Sequence, residues 1–219
     1  MWSSETILML VQGIGETLYM SVASTVLGYV LGLPLGILLA VSDREGIRPN
    51  APLYRALDVV CNILRSVPFL ILLILLIPVT RFIVGKSYGT TATIVPLVIA
   101  AAPFIARMVE SSIKEVDHGV IEAAQSMGAS NMTIIRRVLL VEARVSLITG
   151  ATIAFGTILG YSAMAGIVGG GGLGDIAIRY GYYRYESDIM IVTVILLVVL
   201  VQIFQIAGMK IAAVLDKRK

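Results

Sequence analysis

The chain has 219 residues, 58% of them hydrophobic and only 14% charged, where a soluble domain carries about 25% charged residues. That deficit excludes an ordinary soluble fold and points to the bilayer, whose hydrocarbon core, roughly 30 Å thick, is crossed by about 20 apolar helical residues. The formal charge of +3 does not argue for nucleic acid, because the basic residues are scattered between apolar runs and form no basic aromatic face. Cys61 is the only cysteine, which rules out an internal disulfide or a cysteine-based metal cluster and leaves it a packing role.

The pattern predicts an all-α, polytopic membrane protein with five spans, at Leu18–Val41, Val59–Thr80, Thr90–Ala106, Val145–Ala165 and Ile189–Ala213. No Lys or Arg precedes Arg44, unlike the basic start of a secretory leader, so the first span is expected to stay. An odd number of spans puts the termini on opposite sides. Of the 17 Lys and Arg residues, four (Arg81, Lys86, Arg179 and Arg184) fall on one side, and the rest, including Lys217, Arg218 and Lys219, on the other. The basic side is cytoplasmic by the positive-inside rule, which places the N-terminus outside and the C-terminus inside. The whole chain, 1–219, reads as one transmembrane domain whose longest cytoplasmic loop is 107–144.

In the first span Ser24, Gly28, Gly32, Gly36 and Ala40 recur every fourth residue. They form a face that another helix can approach closely, either within the subunit or at a dimer contact. Pro34, Pro68, Pro78, Pro96 and Pro103 lie in or near spans, which predicts bent helices around a cavity. Arg65, near the inner end of the second span, can snorkel to the headgroups.

The loop at 107–144 has its own helical grammar. Asp117 is placed to cap a short helix through Glu122, Ala123, Ala124 and Met127, and Gly128 supplies the positive backbone angle that ends it. Ser130 or Asn131 caps a second helix, in which Ile134, Ile135, Val138 and Leu139 form an apolar stripe beside Arg136 and Arg137. This is either a knob that docks in another protein's groove or an amphipathic pair lying on the bilayer. His118, the only histidine, has no clustered partners and reads as a solvated loop residue.

Between the last two spans, Gly166–Asp188 holds Gly169, Gly170, Gly171, Gly172 and Gly174, followed by Tyr180, Tyr182, Tyr183 and Tyr185. The glycines oppose regular helix and the tyrosines suit a membrane interface, so an external loop with a re-entrant start is expected. Gly169, Gly171 and Gly174 match a dinucleotide-binding pattern, but a membrane span rather than a strand precedes them. Gly85, Lys86 and Ser87 resemble the end of a phosphate-binding loop, but Thr80 stands where its first glycine is required. Every acidic residue is expected at a span end or in a loop, which disfavours a proton relay or an intramembrane acid-base pair. No catalytic, cofactor or metal site is expected.

The segment EAAQSMGA, with Glu122, Ala123, Ala124, Gly128 and Ala129, resembles the EAA loop of permease subunits of bacterial ABC importers. The family pattern usually ends in proline where this chain has Val141, a departure that bears on how the second short helix joins the fourth span. NILRSVPFLILLILLIPVTRFIVG, IVPLVIAAAPFIARMVE and GYSAMAGIVGGGGLGDIAIRYGY are together similar to the permeases of methionine importers, and the likeness covers nearly the whole chain.

The resemblance implies a type I ABC importer permease fold in the bacterial inner membrane. It also implies a homodimer, two soluble ATPase subunits beneath it, and an extracytoplasmic methionine-binding protein. Glu122, Ala123, Ala124, Met127, Gly128, Ala129 and Thr133 would then couple to the ATPase. Met164, with Ser162 and Ala163 beside it, is a candidate external gate, since an apolar constriction closes a path by excluding water. The other role for Met164 is to fill a core gap. The alternatives to a methionine importer are an importer of another small amino acid or related solute, and a carrier or channel that works without an ATPase.

Overall fold

The computed structural model describes residues 3–216, so Lys217, Arg218 and Lys219, counted above as cytoplasmic, lie outside the described residues. The described chain is helical, with no strand. Its helices are α1 (Ser4–Ser42), α2 (Ala51–Ser66), α3 (Phe69–Leu75), α4 (Ile77–Val84), α5 (Thr90–Lys114), α6 (His118–Ser126), α7 (Asn131–Ile134), α8 (Leu140–Glu142), α9 (Arg144–Met164), α10 (Gly172–Ile176) and α11 (Ser187–Leu215). Four stretches are long and apolar enough to cross a bilayer, beginning with α1, α5, α9 and α11, and a fifth span is made by the bent pair α2 and α3.

The first span is longer than expected. The helix starts at Ser4, where the Ser3 side chain accepts from the Thr6 amide, and runs for 39 residues, about 58 Å at 1.5 Å per residue. Its small-residue face is buried against α5. A Cβ on Gly32 would stand 2.7 Å from the Ala102 carbonyl oxygen, and one on Gly36 would stand 2.6 Å from Val109 Cβ. The stripe thus serves packing within the subunit. With no water to drive helices together in lipid, such close backbone approach is what holds them. Met20, Leu97, Ile105, Val109 and Ile158 fill the core where α1, α5 and α9 meet. α11 leans on α9, where Phe155 and Phe204 pack with ring centroids 4.3 Å apart.

The expected second span, Val59–Thr80, is not one helix. α2 and α3 meet at 100°. Pro68 lacks an amide hydrogen and drives Val67 into an extended conformation (φ −78°, ψ 123°). Phe69, just past the bend, stacks on Tyr161 of α9 at 4.5 Å. A second interruption falls at Leu76, just before Pro78.

The expected loop 107–144 begins later than predicted, because α5 continues to Lys114. The glycine-rich segment is also not an open loop. Only 169–171 and 183–186 lie outside helical turns, with Gly169, Gly171 and Gly172 at φ between 75° and 81°. Beyond them α10 and a π-helical turn, Ala177–Tyr182, fold back on the bundle, with Leu173 fully buried. Acidic residues expected at span ends or in loops are found within helices: Glu16 lies in α1, Glu110 is buried in α5, and Asp175 is buried in α10, ion-paired with Arg179.

Replacing Gly36 with valine should lower stability by about 1–3 kcal/mol, the usual penalty of overpacking. The Gly15→Ala control, where nothing lies within 4 Å, should be neutral or stabilising. Thermal midpoints of the purified protein in detergent would read both.

Candidate coupling and gate elements

The knob between α5 and α9 is built as its residues dictate. Asp117 caps α6 by accepting from the Gly119 amide at 2.7 Å. At the other end the Ala129 amide donates to the Ala124 carbonyl (3.1 Å) and the Gly128 amide to the Gln125 carbonyl (2.9 Å), the paired bonds of a Schellman motif. Gly128 has φ +78° with open space around it, so backbone conformation alone, not crowding, requires glycine there. Ser130 caps α7 by accepting from the Thr133 amide at 3.3 Å, and its hydroxyl meets that of Thr133 at 2.8 Å. From α7 the chain passes through a π turn (Ile135–Leu139) and α8 to a break at Ala143, so Val141, where the family pattern usually has proline, stands inside α8.

Ala124, Ile134 and Leu139 are buried in the main core, with Ile135 and Val138 packed beside them. The apolar stripe is therefore spent on the protein itself, which removes the reading of an amphipathic pair lying on lipid. What the knob presents outward is Glu122, Ala123, Met127, Gly128 and Thr133, with Met127 81% and Met132 57% exposed. Solvent-facing methionines on a small rigid projection are the kind of surface that docks in a groove.

Directly behind the knob lies an ionic cluster that the sequence reading missed. Glu110 is buried on α5 and accepts from Tyr54 of α2 (3.1 Å), from Arg107 (2.7 Å) and from Lys114 (2.8 Å). Arg107 also pairs with Asp58 of α2, and Lys114 with Asp43, which follows α1, at 2.7 Å. The lysine nitrogen stands 5.3 Å from the centre of the Tyr54 ring. A buried carboxylate needs such partners, and here they join α2, α5 and the end of α1 just before the knob begins. The signal was present in the spacing of Arg107, Glu110 and Lys114, which fall on one helical face. The partners on α2 and beyond α1 were not visible.

At the opposite end, Met164 is the last residue of α9 and is 46% exposed, so it does not fill a core gap. Ser162 is buried and donates to the Leu159 carbonyl at 2.7 Å, which turns it away from the Met164 face. Ala163 lies between them, its backbone in contact with Gly174. The three neighbours in sequence thus do three different things: one faces outward, one faces the core, and one seats α10.

This architecture, a bundle of helices long and apolar enough to cross a bilayer, with a capped knob and a folded glycine turn, is that of a transport permease. The model of the family described as "Binding-protein-dependent transport system inner membrane component" matches residues 32–219, and the chain belongs to that family of multi-pass inner-membrane transport components. It is 54% identical over 203 residues, 93% of this chain and 90% of the relative, to the Probable D-methionine transport system permease protein MetI of Vibrio cholerae. It is 52% identical over 158 residues, 72% of this chain and 73% of the relative, to the D-methionine transport system permease protein MetI of Escherichia coli strain K12. Among solved structures it is similar to a chain of the MetNI methionine ABC transporter in inward-facing conformations, with TM-score 0.97 and 49% identity over 99% of this chain and 100% of the other. A chain of an amino acid ABC transporter matches at TM-score 0.73 and 20% identity over 98% of this chain and 96% of the other, which bears on the fold alone.

The Asp43 carboxyl is held below its ordinary value of 3.8, chiefly by the hydrogen bond from Lys114. A depressed carboxyl stabilises the folded state above its unfolded value and stops doing so as pH falls through the lower folded value. The loss of thermal stability in Asp43→Asn should therefore be present at neutral pH. It should disappear below the ordinary carboxylate range, as read by melting wild type and variant across pH.

Proposed function

We propose that this chain is the membrane-spanning permease subunit of a bacterial ATP-driven methionine importer, accepting the L and D forms. It works as a homodimer, with two ATPase subunits docked beneath and an extracytoplasmic methionine-binding protein above. The single observation that carries the reading is the EAA knob, closed by its Schellman cap, with its apolar stripe buried and Met127 left exposed. The cargo rests on the names borne by relatives at 52 and 54% identity. The distribution of Lys and Arg supports an N-terminus outside and a C-terminus in the cytoplasm.

The whole chain acts as one transmembrane domain, with the coupling segment within 107–144. Energy comes from the partner subunits, since neither glycine pattern in this sequence completes a phosphate-binding loop. Closure of the ATPase pair on ATP moves the segment Glu122, Ala123, Ala124, Met127, Gly128, Ala129 and Thr133 as a rigid lever. α5 and α9, which flank it, then switch a central pathway between inward-open and outward-open states. A single copy offers few helices for a pathway, so two copies enclosing it on a symmetry axis are the economical solution. Met164 closes the outer end by excluding water, with Ala163 seating the adjoining turn and Ser162 anchoring α9 behind it.

Methionine uptake into proteoliposomes should require this chain, the ATPase, the binding protein and ATP together. Flux through this chain alone would replace the importer with a channel or carrier, and ATP-driven uptake of another solute would correct the cargo only. Gly128→Val, which forces a branched side chain into a left-handed conformation, should abolish uptake while the protein still inserts. Gly128→Asn, which tolerates that conformation, should retain most of it. Equal uptake by both variants would count against the rigid lever.

A further inference from the structure

The glycine turn beside the proposed gate is held by a helix from the far end of the chain. The Gly172 amide donates to Glu16 Oε2 at 2.7 Å and the Leu173 amide donates to Thr17 Oγ1 at 2.9 Å, each pair 156 residues apart in sequence. Gln12 donates to the other Glu16 oxygen at 3.0 Å and fixes the carboxylate in place. These bonds occupy amides at the start of α10 that have no partner within the helix, and an ionised acceptor makes the first one strong. The fit is close as well as polar: a Cβ on Gly172 would stand 2.6 Å from Thr17 Oγ1, and one on Gly171 would stand 2.9 Å from Glu16 Oε2.

The other side of α10 is wedged against the end of α9. Gly174 abuts the Ala163 backbone, and Gly166 abuts Gly174 and the Asp175 amide, so Met164 sits between two contacts with α10. Neither contact tolerates a side chain. Displacement of α10 relative to α1 must therefore displace the backbone on both sides of Met164. At its other end α1 terminates at Asp43, which pairs with Lys114 at the end of α5, three residues before the Asp117 cap of the knob. One continuous helix thus reaches from the coupling segment to the gate.

We propose that Glu16 and Thr17 are positioning residues that register the outer gate to α1, so that α1 transmits movement of the coupling segment to Met164. This rests on the permease reading above. The family model begins at residue 32, so both residues lie outside the stretch that it matches.

The test is the number of methionine molecules imported per ATP hydrolysed by the reconstituted complex. In the double variant Glu16→Ala, Thr17→Val this ratio should fall about tenfold, the shift in a conformational equilibrium expected when a charge-assisted hydrogen bond is lost. ATP hydrolysis stimulated by the binding protein should persist. Glu16→Gln, which keeps an acceptor in place, should restore the ratio to within about twofold. An unchanged ratio in the double variant, or a Glu16→Gln variant as impaired as the double variant, overturns the proposal. So does a parallel loss of transport and hydrolysis, which would mark a merely structural contact. If the double variant does not insert, the isosteric Thr17→Val variant is read alone, with a lowered ratio expected and an unchanged one decisive against. A wild-type complex that imports nothing would overturn the permease reading itself.

Discussion

The close approach of α1 and α5 is the constraint on which the rest of the molecule depends. In a bilayer the lipid tails are as apolar as leucine, so two helices gain little by burying leucines against each other and much by bringing their backbones into contact. Gly28, Gly32 and Gly36 make that possible, with Ile105, the Ala102 carbonyl and Val109 pressed into the groove they leave. Once those helices are joined, α9 can pack across both, and the chain between α5 and α9 is confined to a short, rigid projection.

That projection shows how short segments are held in a fixed shape. Each half is a helix of few residues, too short to be stable alone. It is held by capping at both ends, by a glycine that only backbone geometry explains, and by an apolar stripe that joins the main core. The cluster around Glu110 stiffens its root. Because Glu110 serves Tyr54, Arg107 and Lys114 together, α2 and the end of α1 are tied to the same point of α5. The root of the knob is thereby joined to three helices rather than to one.

The outer end follows the opposite logic, with glycines replacing ions. Gly166, Gly172 and Gly174 allow α10 to lie in contact with backbone and hydroxyl groups that a Cβ would displace. The turn is rigid because it is tightly seated, and its exposed product is Met164. Its position is set by its frame, to which the long first helix is bonded through Glu16 and Thr17.

Much of this was legible in the residues themselves. Four of the five spans, the caps at Asp117 and Ser130, the left-handed Gly128 and the stripe from Ile134 to Leu139 all follow from rules that act within a few residues. A bend near Pro68 was legible, but not its depth, since proline in a membrane segment is compatible with either a kinked span or a broken one; the break is one of 100°, with Phe69 stacked on Tyr161 just past it. The helix beyond Gly172 was hidden because glycine argues against helix locally, while burial of Leu173 and amides satisfied by Glu16 and Thr17 favour it from a distance. Hydropathy, capping and charge bias are local and were therefore determined by the sequence alone. Which face of α9 carries Met164, which ions meet at Glu110, and what holds the glycine turn depend on partners distant in the chain, and those only the tertiary structure decided.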